Sequence, residues 1–201
     1  MKNKSKDQEE RILIAAQKRF AQYGYSKVTM DEIAADIEMG KASLYYYYPT
    51  KEKLFQVVME SEQGEFIKEI DHLLAKDIPA SQKLTGYVEI RHKYFEKFIN
   101  LGTLHFHSAM DSQSLYQDFF KKFTEMELSL IEKIIRDGVE RKEFRKELLE
   151  CLPRLILHIQ QGFRFLFLKK TQENKGNKSL LGNLKKDLQI LIELLLIGIK
   201  N

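Results

Sequence analysis

Lys41, Ala42 and Ser43 stand immediately before Leu44 and four consecutive tyrosines, Tyr45 to Tyr48. These residues suit recognition rather than covalent chemistry. A lysine donates to guanine O6/N7 or to a phosphate. Alanine is small enough to let a helix approach closely, and its methyl can touch that of thymine. A serine hydroxyl bonds to a base or a phosphate. Tyrosine hydroxyls donate to phosphates while their rings shield the contact from water. Thr29 upstream and Lys51 downstream extend the set, because a cation beside the free N–H groups of a helix start favours a phosphate. A helix does not bury four consecutive residues unless it is enclosed on all sides. An aromatic plug between helices is the alternative use of the run, and Tyr47 is its strongest candidate.

The flanking residues supply a frame for that surface. Thr29, Met30, Asp31 and Glu32 have the form of a capping box, in which the Thr29 hydroxyl accepts from the Glu32 N–H and the Glu32 carboxylate reaches back. The helix so started runs to about Ile37 with Ile33, Ala34 and Ile37 inward. Glu38, Met39 and Gly40 form a tight break. A second short helix follows over Lys41 to Tyr47 and stops at Pro49. Leu44 and Tyr48 share one face and pack inward. This is helix-turn-helix spacing, in which the second helix enters the major groove and the first braces it across the backbone. Ahead of it, Ile12, Ala15, Ala16, Phe20 and Tyr23 recur at helical spacing and predict a helix over Glu9 to Tyr23, closed by Gly24. Residues 1–8 are polar and read as a mobile arm, either a solvated tail or a contact to DNA. Behind it, Thr50 caps a long helix from Lys51 to about Ala75.

In this register the segment resembles the tetracycline-repressor-like (TetR/AcrR) family of bacterial regulators. That family's head carries T-x-x-x-I-A, then G-V-S-x-G-T/S-L-Y-x-Y/H-F, then S/T-K-E-x-L. Here the chain reads Thr29-Met30-Asp31-Glu32-Ile33-Ala34, Glu38-Met39-Gly40-Lys41-Ala42-Ser43-Leu44-Tyr45-Tyr46-Tyr47-Tyr48, and Thr50-Lys51-Glu52-Lys53-Leu54. Phe20 to Tyr25 is similar to F-x-x-x-G-[FY]. Glu38 stands where the turn glycine is usual, Gly40 where serine is frequent, Ala42 where glycine is common and Tyr48 where phenylalanine is common. Glu38 implies a strained or altered turn, and Gly40 the loss of a side-chain cap. The resemblance covers about residues 9–55. It implies double-stranded DNA with a pseudo-palindromic operator as partner, a homodimer, and a small-molecule effector that tilts the two heads. It also implies repression as the usual mode.

The remainder predicts helices near 81–100, 103–110, 113–142, 147–172 and 180–200, with no convincing strand. The fold expected is therefore all-α: a three-helix head over residues 1–50, joined by a long helix to a larger helical ligand-binding and dimerisation body over 51–201. Leu155 and Ile159, with Leu184, Leu188, Leu191 and Leu195, lie on helices with more apolar surface than one core requires. Two such helices from each of two chains build a four-helix interface. The alternative is that both are buried within one chain. The aromatic middle, with Tyr94, Phe98, His105, Phe106, Phe119, Phe123 and Phe163, lines an apolar or aromatic effector pocket or serves as plain core.

Composition excludes other classes. Cys151 is the only cysteine among 201 residues, so an intramolecular disulfide is ruled out, and it is expected to pack as a small apolar residue. His105 and His107 are two apart and make a poor metal pair on a helix. No metal and no cofactor are expected. Walker, Rossmann, zinc and nucleophile-elbow patterns are missing, which argues against an enzyme. The net charge of +4 favours a polyanion only mildly. The most apolar run, Leu188 to Ile199, is shorter than a membrane span and interrupted by Glu193, so a cytoplasmic protein without a membrane partner is expected. The basic N-terminus and apolar last helix leave a membrane-surface or adaptor role as the competing reading.

Overall fold

The structure, a computed structural model, describes residues 2–97, 114–173 and 179–200. Among these, eight α-helices and two short 3₁₀ turns account for the architecture and no strand occurs. The helices are α1 (Lys2–Tyr23), α2 (Met30–Asp36), α3 (Lys41–Tyr47), α4 (Lys51–Leu74), α5 (Ala80–Lys97), α6 (Ser114–Glu140), α7 (Leu152–Glu173) and α8 (Ser179–Ile199). The all-helical expectation is met. The helix expected at 103–110 lies outside the described residues.

Two boundaries differ from the sequence reading. α1 begins at Lys2 rather than Glu9. Its polar start has neither Gly nor Pro. Once the amphipathic part is nucleated, each added residue gains a hydrogen bond, so the helix propagates backward through a start where Lys2, Lys4, Lys6 and Gln8 are good helix formers. α7 begins at Leu152 rather than 147, after a 3₁₀ turn at Lys146–Leu148. Pro153 has no N–H and its ring excludes a preceding helical turn, so it is tolerated only in the first turn. Cys151, between the two, is exposed and not packed in the core. The proline-imposed turn leaves it outside the helix whose face is buried.

The described residues fall into two compact units. One holds the chain to Glu65 together with Lys97; the other holds Phe66–Glu96 and the described residues from Ser114 onward. The division falls inside α4 and not at residue 50. Leu54, Phe55 and Val58 are buried, and Phe55 meets Phe20 edge-on at 5.2 Å and Tyr25 at 4.9 Å, so the start of α4 belongs to the first core.

In the second unit, charged clamps lock helix ends. Glu143 accepts from the N–H groups of Ala80 (3.0 Å) and Ser81 (3.2 Å), capping α5 from a distant turn. Buried Lys83 donates to Asp137 at 2.8 Å, and Asp137 also accepts from Arg141. Arg145 bonds the carbonyls of Ile199 and Gly198 through its N–H and guanidinium, satisfying the end of α8. The Phe144 ring lies so close over Gly138 that an added Cβ would stand 2.1 Å from Phe144 Cδ2, which fixes glycine there. Among the described residues no helix is long and apolar enough to cross a membrane.

Candidate nucleic-acid interface

The first unit positions α3 from both sides. The capping box forms as the sequence predicts. The Glu32 N–H donates to Thr29 Oγ1 at 3.3 Å, and the Thr29 N–H donates to Glu32 Oε2 at 2.8 Å. The Thr29 bonds hold the Glu32 carboxyl below its ordinary range. Arg19 of α1 makes a two-point bond to Asp36 of α2 and lies 3.4 Å from Glu32. Arg11 donates to the Ile37 carbonyl at 3.2 Å. These contacts tie α2 along α1, and sequence reasoning missed them. The signal was Arg19 on α1 against Glu32 and Asp36, one turn apart on α2.

Leu44 is fully buried and Tyr48 nearly so, and together they anchor α3. The opposite surface is open. Lys41, Ala42, Ser43 and Tyr45 are exposed, Tyr46 is 84% exposed, and Tyr47 is half-buried with its ring edge-on to Tyr46 at 5.5 Å. Thr29 is exposed beside them. Lys41 Nζ bonds Asp31 Oδ2 at 2.9 Å, which raises the Lys41 pKa above its ordinary value, and the ammonium lies 5.9 Å from the Tyr45 ring centre.

Lys51 is built differently from the rest of the set. Its ammonium donates to the carbonyls of Tyr25 and Val28, each at 3.0 Å, and sits 4.2 Å from the Tyr25 ring centre. Two of its three N–H donors therefore tether the 25–28 turn to α4. The Tyr25 hydroxyl adds a 2.7 Å bond to Glu52.

The candidates of the second unit are partly described. Tyr94, Phe123 and Phe163 are half-buried, with Phe66 packed on Tyr94 at 5.5 Å and on Phe123 at 5.7 Å. Phe98, His105 and Phe106 lie outside the described residues, and of Phe119 only its place on α6 is described. Of the expected interface leucines, Leu184 and Leu188 are buried within this chain, Ile159, Leu191 and Leu195 are half-buried, and Leu155 is 50% exposed. Leu184 and Leu188 thus point into the core formed with α7. The apolar residues left open are Leu155, Phe165, Leu166, Ile190, Leu194 (62%) and Ile197 (74%). On α8 these stand on the face turned away from Leu184, Leu188 and Ile192.

Residues 12–58 match the family described as bacterial regulatory proteins, tetR family. The crystal structure of a transcriptional regulator from Cytophaga hutchinsonii superposes with a TM-score of 0.84. It is 36% identical, over 96% of this chain and 98% of that one. The uncharacterized HTH-type transcriptional regulator YhgD of Bacillus subtilis is 27% identical over 144 residues, 67% of this chain and 70% of that protein. The chain belongs to the tetR family. The transcriptional regulator FadR of Bacillus subtilis, solved in complex with stearoyl-CoA, shares the fold alone. It is 17% identical with a TM-score of 0.69, over 91% of this chain and 97% of that one.

For a tetR-family head, the turn between α2 and α3 is unusual in its residues and regular in its bonds. Glu38 takes φ 53°, the left-handed region. Its N–H reaches the Ala35 carbonyl at 3.1 Å and the Met39 N–H reaches Ala34 at 2.9 Å. These two bonds are a Schellman motif, which glycine normally closes. A side chain there costs ~1–2 kcal/mol. Gly40 has an ordinary φ of −64° and makes no side-chain cap, so it needs no glycine. Glu38→Gly is therefore expected to stabilise the chain by ~0.5–1 kcal/mol, the relief of strain exceeding the added chain entropy. A thermal melt should show a rise of ~1–4 °C; a fall would show that Glu38 makes a compensating contact.

Proposed function

We propose that this tetR-family regulator is a homodimeric repressor. It occupies a pseudo-palindromic operator through α3 and leaves it when a small, largely apolar or aromatic effector enters the helical body. One observation carries the DNA reading: Lys41, Ala42, Ser43, Tyr45 and Tyr46 form an open surface on a helix whose other side is anchored by Leu44 and Tyr48. Thr29 and Tyr47 flank it as backbone contacts. Lys51 acts through the turn it tethers.

The dimer reading is supported by the open apolar residues of α7 and α8. A two-fold operator needs a two-fold protein with heads about one helical turn (~34 Å) apart. Leu194→Glu with Ile197→Glu is expected to give a protein of half the mass in light scattering, with operator binding lost. An unchanged mass would place the interface elsewhere. The effector reading is supported by the half-buried aromatics Tyr94, Phe123 and Phe163 and by the stearoyl-CoA bound to FadR, which shares this fold. A regulator of this kind works in the cytoplasm, without membrane or enzymatic chemistry.

Fluorescence anisotropy with the DNA upstream of the chain's own gene, against scrambled DNA at several salt concentrations, tests the reading. Operator binding should exceed the control and weaken steeply with salt. Lys41→Ala should shift preference among sites, since a good base contact is worth ~1–3 kcal/mol. Lys51→Met should lower the melting temperature and leave the salt slope unchanged. A slope flattened by ~0.9 would instead give Lys51 a phosphate contact. Binding to neither DNA at low salt would overturn the proposal.

A further inference from the structure

The interior of the second unit carries more positive charge and more hydrogen-bond donors than it uses. Glu127 of α6 is buried, and its Oε1 accepts from the Tyr87 hydroxyl at 3.0 Å and from Arg91 Nε. Arg164 of α7 is nearly buried as well, but its nearest carboxylate oxygen, Glu127 Oε2, is 3.8 Å away, beyond a direct hydrogen bond. Burial pulls the Arg164 pKa down only to about 10, so it keeps its charge at neutral pH. Among the described residues two guanidinium groups thus face the Glu127 carboxylate, a surplus of one positive charge.

Two further buried groups beside it lack a regular hydrogen bond. His92, next to Arg91 on α5, is buried with neither ring nitrogen in a regular hydrogen bond, its Nε2 meeting only Glu96 Oε1 at 3.3 Å. Burial lowers the His92 pKa, Glu96 opposes this, and the charges of Lys185 and Arg164 lower it further, so the neutral ring shares a field with Arg164. Gln160, one helical turn before Arg164, is 3% exposed and its amide nitrogen has no partner. A buried donor without a partner is destabilising, and such departures from self-consistency gather at functional sites. The flanks are apolar: the Arg91 guanidinium lies over the rings of Phe123 (5.2 Å) and Phe66 (5.7 Å), and Phe66 meets Tyr94.

We propose that this cluster binds a monocarboxylate with an apolar or aromatic body, its carboxylate on the Arg164 guanidinium with His92 and Gln160 as further donors. The inference rests on the effector reading and names the class of ligand. A charge of one neutralises the surplus; a neutral ligand leaves it, and a dianion overshoots it against the fixed Glu127. Charge-assisted bonds in a site shielded from water then favour the acid over its uncharged analogue.

The test uses the full chain and 2-naphthoate, 2-naphthamide and 2-naphthyl phosphate, by titration calorimetry and thermal shift. 2-Naphthoate is expected to bind at least ~10-fold tighter than the amide and tighter than the phosphate. Arg164→Met should erase the preference for the acid. Because Arg91 keeps its direct bond to Glu127, the melting temperature of Arg164→Met should stay within ~6 °C of the parent's. Equal affinity for acid and amide, tighter binding of the phosphate, or no binding of any probe would overturn the proposal. So would a fall of more than ~6 °C in Arg164→Met, which would make Arg164 a structural partner of Glu127. Operator titration with saturating 2-naphthoate separates the two readings. Binding of the acid without loss of operator affinity keeps the site and refutes effector release.

Discussion

Arg91→Met is expected to destabilise the chain by ~3–5 kcal/mol, because it removes the guanidinium that hydrogen-bonds the buried Glu127 carboxylate and leaves only Arg164, 3.8 Å away and beyond a direct bond. The melting temperature should fall on the order of 10 °C. Burial alone would push the Glu127 carboxyl up, but Arg91, Arg164 and the Arg91 and Tyr87 hydrogen bonds together hold it below the ordinary 4.5. A depressed carboxylate stabilises the fold above that ordinary value and loses its contribution as pH falls through the folded one. In Arg91→Met the sign reverses. With burial dominant the carboxyl is raised, so stability is lost as pH rises through the new value. Parent and variant melting temperatures should therefore converge toward pH 4. Adding Glu127→Gln should recover part of the loss at neutral pH. A variant as stable as the parent at pH 7 would mean that Arg164 moves in to replace Arg91.

Leu44→Ala is expected to cost ~2–5 kcal/mol and to abolish operator binding. α3 has only seven residues, far below the length at which an isolated helix persists, so it exists through the packing of its inner face. Leu44 is that face, with no exposed surface, and it closes the helix by accepting the Tyr48 N–H at 2.9 Å. Tyr46→Ala is the matched control. It removes a ring from the open side and should weaken DNA binding with the melting temperature unchanged. Loss of stability in Tyr46→Ala, or retention of operator binding in Leu44→Ala, would refute the assignment of inner and outer faces.

The head was legible because its signals are local. A capping box, a break, a Leu44/Tyr48 stripe and Pro49 follow one another from Thr29 to Pro49, and each has one dominant geometry. What the sequence left hidden depends on distant partners. Lys51 reads as a free cation at a helix start; only the fold brings the Tyr25 and Val28 carbonyls to it. Leu184 and Leu188 look the same as Leu194 and Ile197 on an apolar α8, and which side faces the core depends on where α7 lies. Arg91, Glu127 and Arg164 stand on three helices, so no spacing in the chain announces them. The start of α1 was misjudged for another reason: polarity argues against burial, not against helix.

The Lys41–Asp31 pair has a kinetic meaning. A lysine offered freely to DNA adds the same attraction at every phosphate, and a genome presents vastly more wrong positions than right ones. Held by Asp31, Lys41 contributes little net charge to such encounters. On the proposed reading of α3, its ammonium would pass from carboxylate to base edge where a base offers matching acceptors. The acid would then favour discrimination over tightness and shorten residence on irrelevant DNA.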